Sequence, residues 1–364
     1  MWDQNPIRTS QISDCSRRVT TAQQAAMGNG RRLCLPEANQ SSSNLEALRS
    51  QLAASKRTFA LGLLALILVS LLSIVAASGV GRLHFPWRTV VEAIGEGLGL
   101  LHSDTVERTP LLVVFDIRLS RVTLSFLVGS ALGVAGSVFQ GILRNPLADP
   151  FTIGVASGAA FGAAIALAFG LGGTSYLGLG TIPLVALMGA LGALALVVML
   201  GRVQGRVRRD TLVLAGIVVA TFLSALIALV KALDEEAVSA IVFWVMGSFQ
   251  GRGWIHVGFS LPYLLVGLYL VLRRSRELDI LTLGEVQARQ LGVEVEKVRS
   301  RLLIGGSLLT AAAVSVSGVI GFVGLVIPHL VRMCLGATHQ RLMVFSALLG
   351  GLALLWSDVV ARTL

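Results

Sequence analysis

Four residue types in this sequence could do chemistry, and three of them are too sparse or scattered to do it alone. The cysteines, Cys15, Cys34 and Cys334, lack paired metal-ligand spacing, and their odd number makes no disulfide framework. The lysines, Lys56, Lys231 and Lys297, never follow a glycine, and no GxxxxGK[ST] occurs, so the chain has no phosphate-cradling loop of its own for ATP. His329, in "GFVGLVIPHLVR", invites a metal or proton-relay reading, but no second ligand-type residue lies at helical spacing from it. The alternative is a histidine that serves only as a structural hydrogen-bonding group. No catalytic residue, cofactor or metal ligand is assigned on these grounds. Arginine remains. In "DIRLSRV", Asp116 to Val122, Arg118 and Arg121 stand where a polar loop gives way to a long apolar run. Guanidinium forks can pair carboxylates bidentately, as a docking patch would, or snorkel to headgroups and simply hold a helix end there.

The elements that must position these residues are membrane helices. Hydrophobic residues make up 54% of the 364 and charged residues 14%, against about 25% charged in soluble domains. Mean hydropathy is +0.77. Several runs lack charge for the roughly 20 residues a helix needs to cross about 30 Å of hydrocarbon. The 40 glycines fall within these runs as well as between them, which suits helices that pack closely where lipid gives no hydrophobic drive to association. Strict alternation, the mark of a membrane β-barrel, is absent. The fold class is all-α, a polytopic transmembrane bundle, with nine spans expected near 59–78, 122–143, 153–171, 181–200, 211–230, 254–272, 301–318, a short one at 319–331, and 342–361.

The net charge of +10 is concentrated in loops and the N-terminal tail, so it reads as topology and not as nucleic-acid binding. "GRVQGRVRRD" (201–210) and the loop 273–301 are rich in arginine and should face the cytoplasm. Counting through alternating spans puts the N-terminus inside and the 79–121 loop outside, with Arg118 and Arg121 at its end. The acidic "KALDEEAVS" (231–239) is then outside too. Residues 1–57 are polar, without a signal-peptide core, and are expected to be disordered, either as a cytoplasmic extension or as an over-extended start ahead of Met27.

Three segments carry local detail. In "SVFQGILRNPLADPFTIGVASGAAFGAA" (137–164), Asn145-Pro146 and Asp149-Pro150 break the helix and form a rigid turn at the cytoplasmic surface, by themselves no more than a connector. In "SGVIGFVGLVIPHLVRMCLG" (317–336), glycines at 318, 321 and 324 suggest one small packing face, and Pro328 is expected to interrupt the span. From Thr282 to Leu291 the long cytoplasmic loop reads as a short helix, with Leu283, Val286 and Gln290 on one side, Glu285 paired with Arg289 at i,i+4, and Gly292 as its stop. Its small apolar face without aromatic anchors suits a protein partner better than a membrane surface.

"IRLSRV", "GSVFQGILRNPLADPFTIGVASGAAFGA", "FWVMGSF", "LTLGEVQARQLGV", "GFVGLVIPHLVR" and "SDVVAR" occur in the order found in permease subunits of the FecCD family, ABC importers of ferric siderophores, haem and vitamin B12. The chain resembles that family from about residue 57 to its last residue. The resemblance implies a type II ABC importer permease domain over 58–364, not an enzyme, in a bacterial cytoplasmic (inner) membrane. It implies a homodimer or a pairing with a close relative, two cytoplasmic ATPase subunits and an extracytoplasmic substrate-binding protein. By the same resemblance Thr282, Leu283, Gly284, Glu285, Ala288, Arg289, Leu291 and Gly292 match the coupling helix seated on the ATPase. Asn145, Leu147, Asp210 and Thr211 match the inner gate, and Arg118, Arg121 and Arg362 match the arginines offered to glutamates on the binding protein.

The sequence departs from the family at its end. After "SDVVARTL" the family continues through an outer segment and a tenth helix, so a C-terminally truncated domain is expected, with nine spans leaving the C-terminus outside. The expected cargo is a ferric siderophore, with haem and cobalamin as alternatives. From other classes, an ion-coupled secondary transporter would need ionisable residues within spans that hold almost none, and an intramembrane enzyme would need partners that His329 lacks.

Overall fold

A chain segment in lipid has no water for its amides and carbonyls, so uncharged runs of Ala, Leu, Val and Gly close into helices. The computed structural model describes residues 37–81, 83–100, 108–171, 175–176, 179–203, 206–336 and 338–364. Contacts divide the chain into residues 1–62 and 63–364. In the first unit the described part is the start of α1 (Glu37–Gly79). The expected tail lies outside the described residues as far as residue 36, together with Cys15 and Cys34, and its expected boundary near 57 falls inside α1.

The second unit continues with α2 (Trp87–Gly97), α3 (Arg108–Leu143), α4 (Val155–Ala168), α5 (Thr181–Leu200), α6 (Arg209–Leu233) and α7 (Glu235–Met246). Then come α8 (Trp254–Leu272), α9 (Ser275–Leu283), α10 (Glu285–Gln290), α11 (Val295–Ser317), α12 (Val323–Leu335) and α13 (His339–Thr363). Two antiparallel ladders flank α5, β1–β2 (Ser175–Tyr176 with Leu179–Gly180) and β3–β4 (Arg202–Val203 with Arg206–Val207). Among the described residues seven helices are long and apolar enough to cross a membrane: α1 from Arg57, α3, α5, α6, α8, α11 and α13. Two apolar helices, α4 and α12, are shorter. Together they fall where the nine spans were expected, and the protein is a polytopic helical membrane protein.

The most enclosed helices are α3 and α11, which pack on each other, with Leu124, Phe139, Leu302 and Leu309 buried in the shared core. Helix α13 lies along α3 at backbone contact. A methyl group on Gly129 would run into the carbonyl of Gly350, and one on Gly350 into that of Gly129. Small residues at this crossing let dispersion and close backbone approach supply what the hydrophobic effect does not supply in lipid.

Three expectations need correction. The 79–121 segment is not a loop throughout: α2 forms within it, and α3 begins at Arg108, well before the expected 122. A small apolar cluster of Val90, Ala93 and Val114 joins the two, and a helix as short as α2 leaves no span-length signal. Residues Leu112–Leu119 of α3 are π-helical, a widened turn that often marks functional positions. Pro328 does not interrupt its helix, because α12 runs through it. Proline cannot donate to the Gly324 carbonyl and its ring crowds that group, but α3 packs on this stretch: the Gly324 carbonyl lies against Gly136, and Gln140 Nε2 donates to the adjacent Leu325 O at 3.0 Å. The break falls earlier, at Gly318 (φ 74°) and Phe322 (φ 67°). Gly318, Gly321 and Gly324 therefore share no face. Gly318 packs on the Trp244 carbonyl, Gly324 faces Pro150, and Gly321 faces open space.

Candidate functional sites at the two ends of the bundle

Helix α13 has 25 residues, so at 1.5 Å per residue its ends lie about 36 Å apart. The arginines gather at one end. Arg118, in the π-helical turn, is only 6% exposed. Its Nη1 donates to Gly79 O at 3.1 Å and its Nη2 to Leu83 O at 2.6 Å, with the guanidinium over the Phe85 ring. Arg121 forks onto Asp358 of α13, Nε to Oδ2 at 2.9 Å and Nη2 to Oδ1 at 2.7 Å. Arg362 donates from Nη2 to Ala77 O at 2.6 Å, while its buried Nε has no hydrogen-bond partner among the described residues. All three line a cavity of about 860 Å³ walled by the ends of α3 and α13, the α7–α8 turn and the 319–321 break. Of the charged side chains lining it, three are arginines and one, Asp358, is a carboxylate. The sequence-predicted cluster is thus brought together, with an excess of positive charge.

At the other end the expected Thr282–Leu291 helix is two pieces. Helix α9 ends at Leu283, Gly284 turns the chain with φ 137°, and α10 runs from Glu285 to Gln290. A side chain at that φ would be strained, which is why glycine stands there. Gly292, φ 80°, ends the element as expected. Ala288 is buried, whereas Leu283, Val286 and Leu291 are exposed. Thr282 Oγ1 donates to Asp279 O at 2.7 Å.

The expected Glu285–Arg289 pair does not form. Glu285 Oε1 instead accepts from Arg299 Nη2 of α11 at 2.5 Å, and Arg289 reaches Glu296 at 3.5 Å. Burial alone would push the Glu285 carboxyl up, but the hydrogen bond and charge of Arg299, with Arg209 and Arg289 nearby, hold it below its ordinary 4.5.

The four gate candidates sit on adjoining elements. Helix α3 closes at Arg144, whose φ is 50°, and Asn145 Oδ1 accepts from Leu147 N at 3.0 Å, presenting Leu147 to the surface. Asp149 caps the short Pro150–Ile153 turn by accepting from Phe151 N. Asp210 is exposed in the first turn of α6. Thr211 Oγ1 donates to Gly201 O at 2.9 Å and to Arg208 O at 3.0 Å. Helix α6 packs on the Pro150–Ile153 turn at Gly216, where a methyl group would strike the Thr152 carbonyl. Among the described residues no hydrogen bond or ion pair joins Asn145 or Leu147 to Asp210 or Thr211.

With this geometry in place, comparison decides the lineage. The model of the FecCD transport family matches residues 63–364. The chain belongs to the FecCD family. It is 43% identical over 296 residues to the uncharacterized ABC transporter permease YvrB of Bacillus subtilis, covering 80% of this chain and 83% of that one. It is 37% identical to the cobalamin import permease BtuC of Halobacterium salinarum (78% and 73% covered) and 36% identical to the molybdate import permease MolB of Haemophilus influenzae (83% and 88% covered). Among solved structures, a metal-chelate type ABC transporter in an inward-facing conformation matches with TM-score 0.70 and 34% identity over 83% of this chain and 90% of that one. The protein is therefore a permease subunit of an ABC importer, working with ATPase and substrate-binding partners, and not an enzyme. Family membership displaces the ion-coupled alternative.

Two polar ties in this FecCD permease had no signal in the sequence. His339 opens α13 with its backbone N and its Nδ1 both on Asp279 Oδ1 of α9, at 2.8 and 2.6 Å. His339, like His256 with Arg252 and Gly253, is a hydrogen-bonded histidine, whereas His329 is exposed and has no hydrogen-bond partner among the described residues. The second tie is Arg299, whose Nη1 donates to Val207 O at 2.5 Å. Both join residues far apart in sequence, which no local spacing encodes.

Proposed function

We propose that this FecCD permease carries a ferric siderophore into the cytoplasm across a bacterial cytoplasmic membrane, as one half of a homodimer or of a pair with a close relative. The observation that carries the cargo reading is the likeness to a metal-chelate type transporter over nine-tenths of that chain's length. Cobalamin, haem and molybdate are the competing cargoes.

In this reading two ATPase subunits bind the α10 end. The exposed apolar side chains of Leu283, Val286 and Leu291 support that role, since they stand on a surface otherwise rich in charge. ATP-driven closure would move α9 and α10 as a rigid body and open the Asn145–Leu147 and Asp210–Thr211 constriction. The binding protein docks at the opposite end, where cationic excess steers and registers acidic lobes. Arg121 and Arg362 present charge there, and Arg118 holds Gly79 and Leu83 beside them through its two backbone bonds. The test is uptake into proteoliposomes holding the permease, its ATPase and its binding protein. ATP-dependent accumulation of radiolabelled ferric siderophore, unaffected by excess cobalamin, haemin or molybdate, is expected. Accumulation of one of those three in its place would overturn the cargo.

A further inference from the structure

Arg299 stands near the start of α11 and is 3% exposed, yet its two terminal nitrogens leave in different directions. Nη2 reaches Glu285, the first residue of α10, and Nη1 reaches the carbonyl of Val207, the last residue of the β3–β4 ladder. Among the described residues it is the one side chain that bonds both. Val207 lies three residues before Asp210 in sequence. The intervening turn is stapled to α6, because Arg208 O accepts from Thr211 Oγ1 and from Leu212 N.

A guanidinium taken out of water is stable only when its donors are matched, and removing one partner leaves an uncompensated buried charge. It is also planar and rigid, so its two acceptors are held at a fixed separation; an ammonium at the same place would be a single point charge. Displacing Glu285 relative to α11 must therefore drag Val207 or break one of two charge-assisted bonds. We infer that Arg299 is a positioning residue that transmits displacement of α10 to Val207 and the turn that follows it, and so to Asp210 and Thr211. The inference rests on the coupling and gate roles assigned above.

The test uses the full chain with its ATPase subunit in proteoliposomes, its cysteines replaced by serine, and Arg208→Cys as an exposed reporter. Maleimide labelling is followed without nucleotide and with MgATP plus vanadate. In the Arg299 protein the labelling rate should change by about fivefold or more, the lower end of ordinary coupling between sites. Arg299→Gln and Arg299→Lys should abolish most of that change while the complex still hydrolyses ATP at a comparable rate. Because Arg299→Gln could fail to fold, Glu285→Ala serves as a second variant, removing the α10 arm and leaving the bond to Val207; it should lose the response too. A full nucleotide response in Arg299→Lys or Glu285→Ala overturns the inference. Val286→Asp on the exposed face of α10 separates the two readings: it should cost ATPase co-purification, and if the ATPase stays bound and active, the coupling assignment itself is wrong.

Discussion

The two ends of this permease hold arginine in opposite ways. At the α10 end three side chains are tied to carboxylates within the chain: Arg299 to Glu285, Arg289 to Glu296, and His339 Nδ1 to Asp279. At the other end three arginines surround one carboxylate, and their cavity stays cationic. A buried arginine bonded on two sides, as Arg299 is, fixes elements relative to one another. An unmatched one presents charge to something else. Under the proposed function, the same residue type serves as internal linkage at one end and as an external address at the other.

The change with the largest expected effect removes what both ends share, the strut of α3 and α13. Gly129→Leu should destabilise by about 3 kcal/mol or more, because overpacking at a backbone contact cannot be relieved by side-chain rotation. Detergent-resistant assembly and thermal unfolding would report it, and a normal midpoint would show that the crossing is looser than it looks.

Next is Asp358→Asn, which should cost about 2 kcal/mol, since it leaves Arg121 half-buried without its counter-charge. Adding Arg121→Gln should recover part of that loss. Additive losses in the double variant, read by the same unfolding measurement, would mean the pair is not a coupled unit.

The smallest effect sharpens the α10 end. The Glu285 carboxyl sits below its ordinary 4.5 in the folded protein. Its tie to Arg299 is therefore at full strength above that value and is lost as pH falls through the lower folded one. Hydrogen exchange of α10 amides, corrected for intrinsic rates, should stay flat down to about pH 5 and accelerate only in stronger acid. Acceleration already near neutrality would deny the tie.

Much of this was legible in the sequence because hydrocarbon thickness sets a length that apolar runs must meet, and the spans were found that way. The arginine end was legible as a cluster, since "IRLSRV" and "SDVVAR" are motifs. What each guanidinium touches was not. Asp358 lies 237 positions from Arg121, and no spacing rule reaches that far. Glu285 and Arg289 have the spacing of a helical pair, yet a buried arginine fourteen positions on takes the carboxylate, since a desolvated cation needs it more than an exposed one does. Pro328 reads as a break only if its helix is considered alone; Gln140 of α3 supplies a donor to Leu325 O in the turn before it.

Binding of the cognate binding protein to the reconstituted permease at low and high salt separates a cationic address at one end from internal linkage at the other. Arg121→Glu with Arg362→Glu should weaken binding by more than about tenfold at low salt and reverse its salt dependence, while Arg289→Ala at the far end leaves affinity unchanged. Unchanged affinity in the outer double variant at low salt, or an equal loss from Arg289→Ala, would contradict that division.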